Sequence, residues 1–193
     1  MCSYGGSGSY MLCEALNRYG KTKHIHSRIP PDNLEYIGNE KGGNVYSEWF
    51  NGIVIPENEL ENYYVIYIYR NPSLSIPSRF TDKYGYRNHK RHLEHIQTNE
   101  QVKLDDVLSS GEDLYKIREF YDNYVKPNKK RNYKICCVKY EDIFDKQDDL
   151  SDLLGIGKLN IVNKSNRKDN KELNKIYTDL IDEMNQNDFI IIS

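Results

Sequence analysis

The first sixteen residues, Met1-Cys-Ser-Tyr-Gly-Gly-Ser-Gly-Ser-Tyr-Met-Leu-Cys-Glu-Ala-Leu16, decide the fold that we predict. Small residues at positions 5–9 form a loop, and the apolar residues that follow have helical spacing as far as Gly20. A glycine-rich loop that opens into a helix presents unpaired backbone N–H groups and the positive end of the helix dipole, which together hold phosphate. The loop lacks the Gly-Lys-Ser/Thr of a Walker A sequence. A leader or simple turn before a helix is the structural alternative.

Composition excludes several classes of function. The 193 residues suit one domain, spanning 1–193, and the net charge of −2 argues against a nucleic-acid partner. Neither a signal peptide nor an apolar stretch of about 18–20 residues is present, so we expect a cytoplasmic protein without a membrane partner. Cys2, Cys13, Cys136 and Cys137 lack zinc-type spacing, and we expect them to be reduced core thiols.

Strand and helix patterns alternate along the rest of the chain. Residues 63–69 and 134–140 are apolar runs typical of buried parallel strands, and residues 2–4, 23–27 and 188–193 are candidates for shorter ones. Helical spacing appears at 114–124 and again at 173–184. We therefore predict a three-layer α/β fold, in which helices flank a mostly parallel central sheet and a P-loop-like phosphate-binding loop follows a short first strand.

A second candidate site lies at the end of the 63–69 strand, where the sequence reads Ile68-Tyr69-Arg70-Asn71-Pro72. Ligands of open α/β sheets bind at the carboxyl ends of strands. An arginine there, with Ser78 eight residues later, is suited to clamp a phosphate, because the guanidinium is a planar, doubly donating fork. The structural alternative is an arginine paired with a surface carboxylate.

These residues resemble the PAPS-dependent sulfotransferase family. Residues 5–12 are similar to the family's Pro-Lys-Ser-Gly-Thr-Thr-Trp-Leu loop, and residues 67–78 to its strand, Arg-Asn-Pro and serine with the same spacing. Residues 138–142 resemble its Tyr-Glu-Asp motif, and residues 153–156 its Phe-Leu-Gly-Ile. Residues 23–27 stand where the family has Lys-Thr-His, and residues 166–169 faintly resemble its Arg-Lys-Gly. The motifs occur in family order over nearly the whole chain.

The resemblance implies a transferase that moves a sulfuryl group from PAPS to a hydroxyl or amine of a small-molecule or glycan acceptor, with PAP as the product and without a metal. His26 is then the candidate base, because imidazole has a pKa near neutrality, and His24 a second catalytic residue. The alternative for His26 is a loop histidine bound to nearby backbone. The cofactor-binding residues implied are Gly6, Ser7, Gly8, Ser9, Tyr10, Arg70, Ser78, Tyr140, Arg167 and Lys168. For Tyr140, contact with adenine and core packing are both open.

The sequence also departs from the family. Gly6 replaces the loop lysine, and His24 stands at the lysine of Lys-Thr-His, so that His24 or Lys23 is a candidate to supply the missing positive charge. Gly6 favours an alternative function, an inactive PAP- or nucleotide-binding protein of the same fold. A P-loop kinase is a third class, disfavoured by the missing Gly-Lys-Ser/Thr.

Residues 87–95 form a basic run in which His92 and His95 are spaced as a helical metal-ligand pair. No third ligand is evident, and a solvated helix face explains the run better. A basic lip over the acceptor cleft is a further possibility, and it would favour an anionic acceptor.

Overall fold

The computed structural model describes residues 1–20, 22, 24, 26–32, 63–80, 89–90, 92–94, 96–98 and 101–193. Its helices are α1 (Ser9–Leu16), α2 (Pro72–Phe80), α3 (Leu104–Ser110), α4 (Ile117–Val125), α5 (Ile143–Leu154), α6 (Lys171–Ile176) and α7 (Thr178–Gln186). Its strands are β1 (Val65–Tyr69), β2 (Ile135–Lys139) and β3 (Ile190–Ile192), and a 3₁₀ turn at Tyr140–Asp142 follows β2. The described part of the chain is therefore an α/β fold.

The sheet of the described residues is small and mixed, with strand order β1-β2-β3. β1 and β2 are parallel, while β3 pairs with β2 in the antiparallel direction. Cys2 forms a parallel bridge to Tyr67 on the other edge of β1, where its N–H donates to the Ile66 carbonyl at 2.7 Å and its carbonyl accepts from the Ile68 N–H at 3.0 Å. This bridge brings the loop that follows to the carboxyl end of β1, beside Arg70.

Buried side chains form two clusters, which take alternate residues of β1 because successive side chains of a strand point to opposite faces. Ile66 and Ile68 belong to a cluster with residues of α1 and α5. Tyr67 and Tyr69 belong to a second cluster with residues of α2, α4, α6 and α7. In the second cluster the Tyr67 and Tyr124 rings stack with their centroids 4.4 Å apart. Helices packed on either side hold β1, and therefore Arg70 at its end, in place.

Several predicted elements differ in detail from the structure. The C-terminal helical pattern is divided between α6 and α7 at Tyr177, whose φ of −106° and ψ of 21° lie outside the helical region. Tyr177 is buried there, and its hydroxyl donates to an Asp113 carboxylate oxygen at 2.8 Å. The predicted 23–27 strand is only partly testable, because Lys23 and residue 25 lie outside the described residues; His24, His26 and Ser27 are not in a strand.

The four cysteines are buried and free of disulfides, as expected for core thiols. Among the helices of the described residues, none combines the length and the apolar character needed to cross a membrane.

Candidate functional site

The loop between Cys2 and α1 has a backbone that only glycine adopts easily. Gly5, Gly6 and Gly8 have φ values of +106°, +70° and +80°, in the region where a side chain of an L-residue is strained. Gly8 is the N-cap of α1 and provides no side-chain acceptor for the first-turn N–H groups. Among the described residues these N–H groups have no side-chain cap, and a ligand at the positive end of the helix could accept from them.

Neighbouring elements pack so closely on the loop that side chains would not fit. A Cβ on Gly6 would meet the Ser78 hydroxyl and lie 2.6 Å from the Ser75 carbonyl oxygen, both on α2. A Cβ on Gly8 would meet the ring of Tyr140. Residues that are distant in sequence, from the loop, α2 and the end of β2, are thus in direct contact, as the predicted site requires.

Arg70 lies at the carboxyl end of β1 and is only 6% exposed. Its guanidinium carbon is 4.0 Å from the centroid of the Tyr140 ring, and its Nη2 donates to the Ser165 hydroxyl at 2.9 Å. Its buried Nε has no hydrogen-bond partner among the described residues. Burial, with the nearby charge of Arg167, lowers the pKa of Arg70. Because a buried donor without a partner is costly, this guanidinium is suited to an anionic ligand.

A cleft of about 490 Å³ lies beside Arg70 and Tyr140, between α1 and the segment at 159–167. Among the charged side chains of the described residues that line it, four are cationic and one is acidic: Arg18, Arg70, Lys164 and Arg167 against Glu14. Predicted site residues Gly8 and Tyr10 also line it, Tyr10 at an exposed position. The excess of positive charge favours an anionic ligand that is large enough to reach from the loop to Arg70.

The three predicted binding serines, at positions 7, 9 and 78, use their hydroxyls in hydrogen bonds to other residues of the chain. The Ser78 hydroxyl donates to the Ser75 carbonyl at 2.8 Å, within α2, and faces Gly6. The Ser7 hydroxyl donates to the Gly5 carbonyl at 3.3 Å, so that residue 7 would offer a ligand its backbone N–H. The Ser9 hydroxyl accepts a hydrogen bond from Ser3 at 3.0 Å. The hydroxyls of residues 7 and 9 thus make hydrogen bonds within and beside the loop, whereas that of Ser78 bonds within α2.

Arg167 connects the loop to α2. Its Nη1 donates to the Gly6 carbonyl and, at 3.3 Å, to the Leu74 carbonyl. The neighbouring Lys168 is exposed and is not among the residues that line the cleft. Of the predicted Arg-Lys pair, the structure therefore brings Arg167 alone to the loop.

The two predicted catalytic histidines lie next to Ser3, which precedes the glycine loop. His26 is 8% exposed, and its Nδ1 donates to the Ser3 carbonyl at 2.7 Å. Because a carbonyl only accepts, this bond places the ring proton on Nδ1 and makes Nε2 the nitrogen with the lone pair. The Ser3 hydroxyl, which donates to Ser9 at the start of α1, is also 3.4 Å from His24 Nε2. His26 is bound to backbone, as its structural alternative predicts, and it also has the tautomer that a general base needs.

His24 is not suited to replace a lysine. Burial, followed by the positive charges of the Met1 amino group and Arg79, lowers the pKa of His24 to about 4. The imidazole is therefore neutral at pH 7 and supplies no charge to the loop. Lys23, the other candidate, lies outside the described residues.

Two side chains of the site were not predicted from the sequence. Ser165 holds Nη2 of Arg70, and Arg79 lies against Gly5, where an added Cβ would meet its guanidinium. Arg79 directly follows Ser78, so its position beside the second motif was the one available signal. Ser165 has no comparable signal, because the serine sits in a polar segment without periodicity.

The metal interpretation of the basic run has no support among the described residues, where no cluster of three candidate ligands occurs. His92 Nδ1 donates to the Arg79 carbonyl at 2.8 Å, and His89 Nε2 to the Val102 carbonyl at 2.7 Å. His95 lies outside the described residues, as do residues 87–88 and Arg91 of the same basic run, which was also the candidate basic lip.

Comparison of the chain with protein-family models, curated proteins and solved structures gave no significant match.

Proposed function

We propose that the chain is a sulfotransferase that uses PAPS, with a single three-layer α/β domain and a mostly parallel sheet. The observation that carries the proposal is the buried Arg70, whose Nε lacks a partner among the described residues and which lines a cationic cleft beside an uncapped glycine loop. The chain thus has two anion-binding features joined by one cleft. PAPS carries phosphate groups at two positions and an adenosine between them, which suits this arrangement.

Each part of the nucleotide has a candidate partner. The backbone N–H groups of residues 6–10 would hold the 5′-phosphate at the start of α1. Arg70 would hold the 3′-phosphate, for which its planar fork is suited, with Arg167 as a second cation. Tyr140 is fixed between Gly8 and Arg70 and would contact the adenine.

PAPS supplies the sulfuryl group when it is bound, and the acceptor contributes a hydroxyl or amine. His26 Nε2 would accept the proton that the acceptor loses, and the bond from Nδ1 to Ser3 would hold the ring in the required tautomer. Backbone donors of the loop would stabilise the charge that develops on the transferred group. We propose a small-molecule or glycan acceptor.

The binding test is a thermal-shift titration with PAP, with ATP and magnesium, and with buffer alone. A ligand that binds the folded state alone raises the melting temperature. We expect PAP to stabilise the protein and Arg70→Ala to weaken PAP binding by more than tenfold, since a charge-assisted bond contributes roughly 1.5–3 kcal/mol. Arg131→Ala is the matched control, because Arg131 also stacks on a tyrosine, Tyr133, but does not line the cleft. Stabilisation by ATP alone would favour the kinase, and equal PAP binding by both variants would refute the Arg70 assignment.

The catalytic test measures sulfuryl transfer from labelled PAPS to a panel of acceptors. We expect His26→Ala to lower transfer by roughly 10²–10⁴-fold while PAP affinity stays within a few-fold of wild type, because a base acts on the acceptor and not on the nucleotide. PAP binding without transfer or PAPS hydrolysis would instead identify the inactive nucleotide-binding protein.

A further inference from the structure

The side chain of Arg79 lies directly on the glycine loop. A Cβ built on Gly5 would meet the guanidinium carbon and would lie 2.6 Å from Nη1. Gly5 is buried and has a φ of +106°, so the close approach of the guanidinium depends on a residue without a side chain. Arg79 follows Ser78 on α2, and α2 therefore places a hydroxyl against Gly6 and a cation against Gly5.

Arg79 lies on the histidine side of the loop and not in the nucleotide cleft. The cleft is lined by Arg70 and Arg167 but not by Arg79. The positive charge of Arg79 instead acts on His24, whose pKa it helps to lower, after burial and the Met1 amino group. His24 in turn packs edge-to-face on His26 with ring centroids 4.5 Å apart. The cations of the site thus divide into a group that lines the cleft and Arg79, which lies against Gly5 outside it.

We propose that Arg79 binds the sulfuryl group of PAPS and stabilises its negative charge during transfer. This inference rests on the proposed function and extends it to a further residue. The transferred group must lie between the loop, which holds the 5′-phosphate, and His26, which takes the proton of the acceptor. Arg79 contacts the loop at Gly5, two residues from Ser3, whose carbonyl accepts from His26. It carries the full charge that neither Gly6 nor neutral His24 provides, and a fixed guanidinium suits a group whose charge is spread over several oxygens.

The test compares PAPS with PAP, which lacks the sulfuryl group. We expect Arg79→Gln to weaken PAPS binding by at least tenfold in calorimetric titrations and to slow PAPS hydrolysis by roughly 10²-fold, the usual effect of removing one such donor. PAP affinity should stay within about threefold of wild type, and Arg79→Lys should recover most of the PAPS affinity because it restores the charge. Arg70→Ala, in contrast, should weaken PAP and PAPS alike. A purely structural role for Arg79 would weaken both ligands to the same extent and would not be rescued by lysine.

Two outcomes would overturn the inference, and they are distinguishable. If the wild type binds both ligands and Arg79→Gln binds PAPS as tightly as the wild type, Arg79 does not contact the sulfuryl group, while the proposed function stands. If the wild type binds neither ligand, the proposed function and this inference both fail. Should Arg79→Gln not fold, the Arg79 Nε–H resonance of the ¹⁵N-labelled wild type decides: it should shift with PAPS and far less with PAP, and equal or absent shifts would refute the proposal.

Discussion

Replacement of Gly8 by alanine tests whether Tyr140 packs on the glycine loop. Gly8 has a φ of +80°, and a methyl group there would lie 2.6 Å from Tyr140 Cδ2. The backbone strain alone costs roughly 1–2 kcal/mol, and displacement of a packed ring adds roughly 1–3 kcal/mol. We therefore expect Gly8→Ala to lower the free energy of unfolding by about 2–5 kcal/mol in urea titrations. PAP affinity should fall as well, because Tyr140 also supports Arg70 at 4.0 Å.

Gly111 provides the matched control for this prediction. It has a similar φ of +71° at a helix end, but a Cβ there would have no atom within 4 Å. Gly111→Ala should therefore show only the backbone cost of roughly 1–2 kcal/mol. Combining Gly8→Ala with Tyr140→Leu should recover part of the loss, and the coupling between contacting residues is typically about 0.5–3 kcal/mol. Equal destabilisation by Gly8→Ala and Gly111→Ala, without coupling to Tyr140, would show that the ring does not pack on the loop.

Two further predictions concern His24 and Gly6. The pKa of His24 falls on folding from 6.5 to about 4, so the folded protein binds fewer protons than the unfolded chain between these values, and about 3 kcal/mol of stability should be lost as the pH falls from 6.5 to 4. His24→Gln should remove this part of the pH dependence in urea titrations, and identical pH profiles for the two proteins would refute the burial of His24. Gly6→Lys should lower both the melting temperature and PAP affinity, because its Cβ would meet Ser78 and the Ser75 carbonyl, whereas an increase in transfer would show that the loop has room for a lysine.

The parts of the fold that the sequence predicted are those with strong local patterns. β1 and β2 lie inside short, continuous apolar runs, which are typical of buried strands. The glycine loop leads into α1, as the helical spacing of the apolar residues after it indicates. The antiparallel direction of β3 has no local signal in its three isoleucines, because strand direction depends on the path of the whole chain. The division of the C-terminal helix at Tyr177 has none either, since it coincides with a hydrogen bond to Asp113, 64 residues away.

The sequence predicted those residues of the candidate site that belong to a recognisable motif. It did not predict those whose role depends on packing against distant segments. Arg70 and Tyr140 follow strands, so the rule for open sheets places them at one edge. The charge state of His24 depends on burial by segments that are distant in sequence, and therefore the low pKa that argues against a lysine-like role for it has no signal in the sequence. Ser165 and Arg79 belong to the site through contacts that no spacing in the sequence encodes.

The packing of α2 explains why the loop has a glycine where the resemblance leads one to expect a lysine. The Ser75 carbonyl and the Ser78 hydroxyl lie where the first carbon of a side chain at position 6 would have to be. With α2 in this position, a cation for an anionic ligand at the loop would have to come from the elements around it rather than from residue 6. Arg167 donates to the Gly6 carbonyl and Arg79 lies against Gly5. Both loop glycines therefore have a guanidinium next to them. The close packing of α2 on Gly6 therefore leaves no room for a lysine at position 6, and the glycine by itself does not argue against transfer.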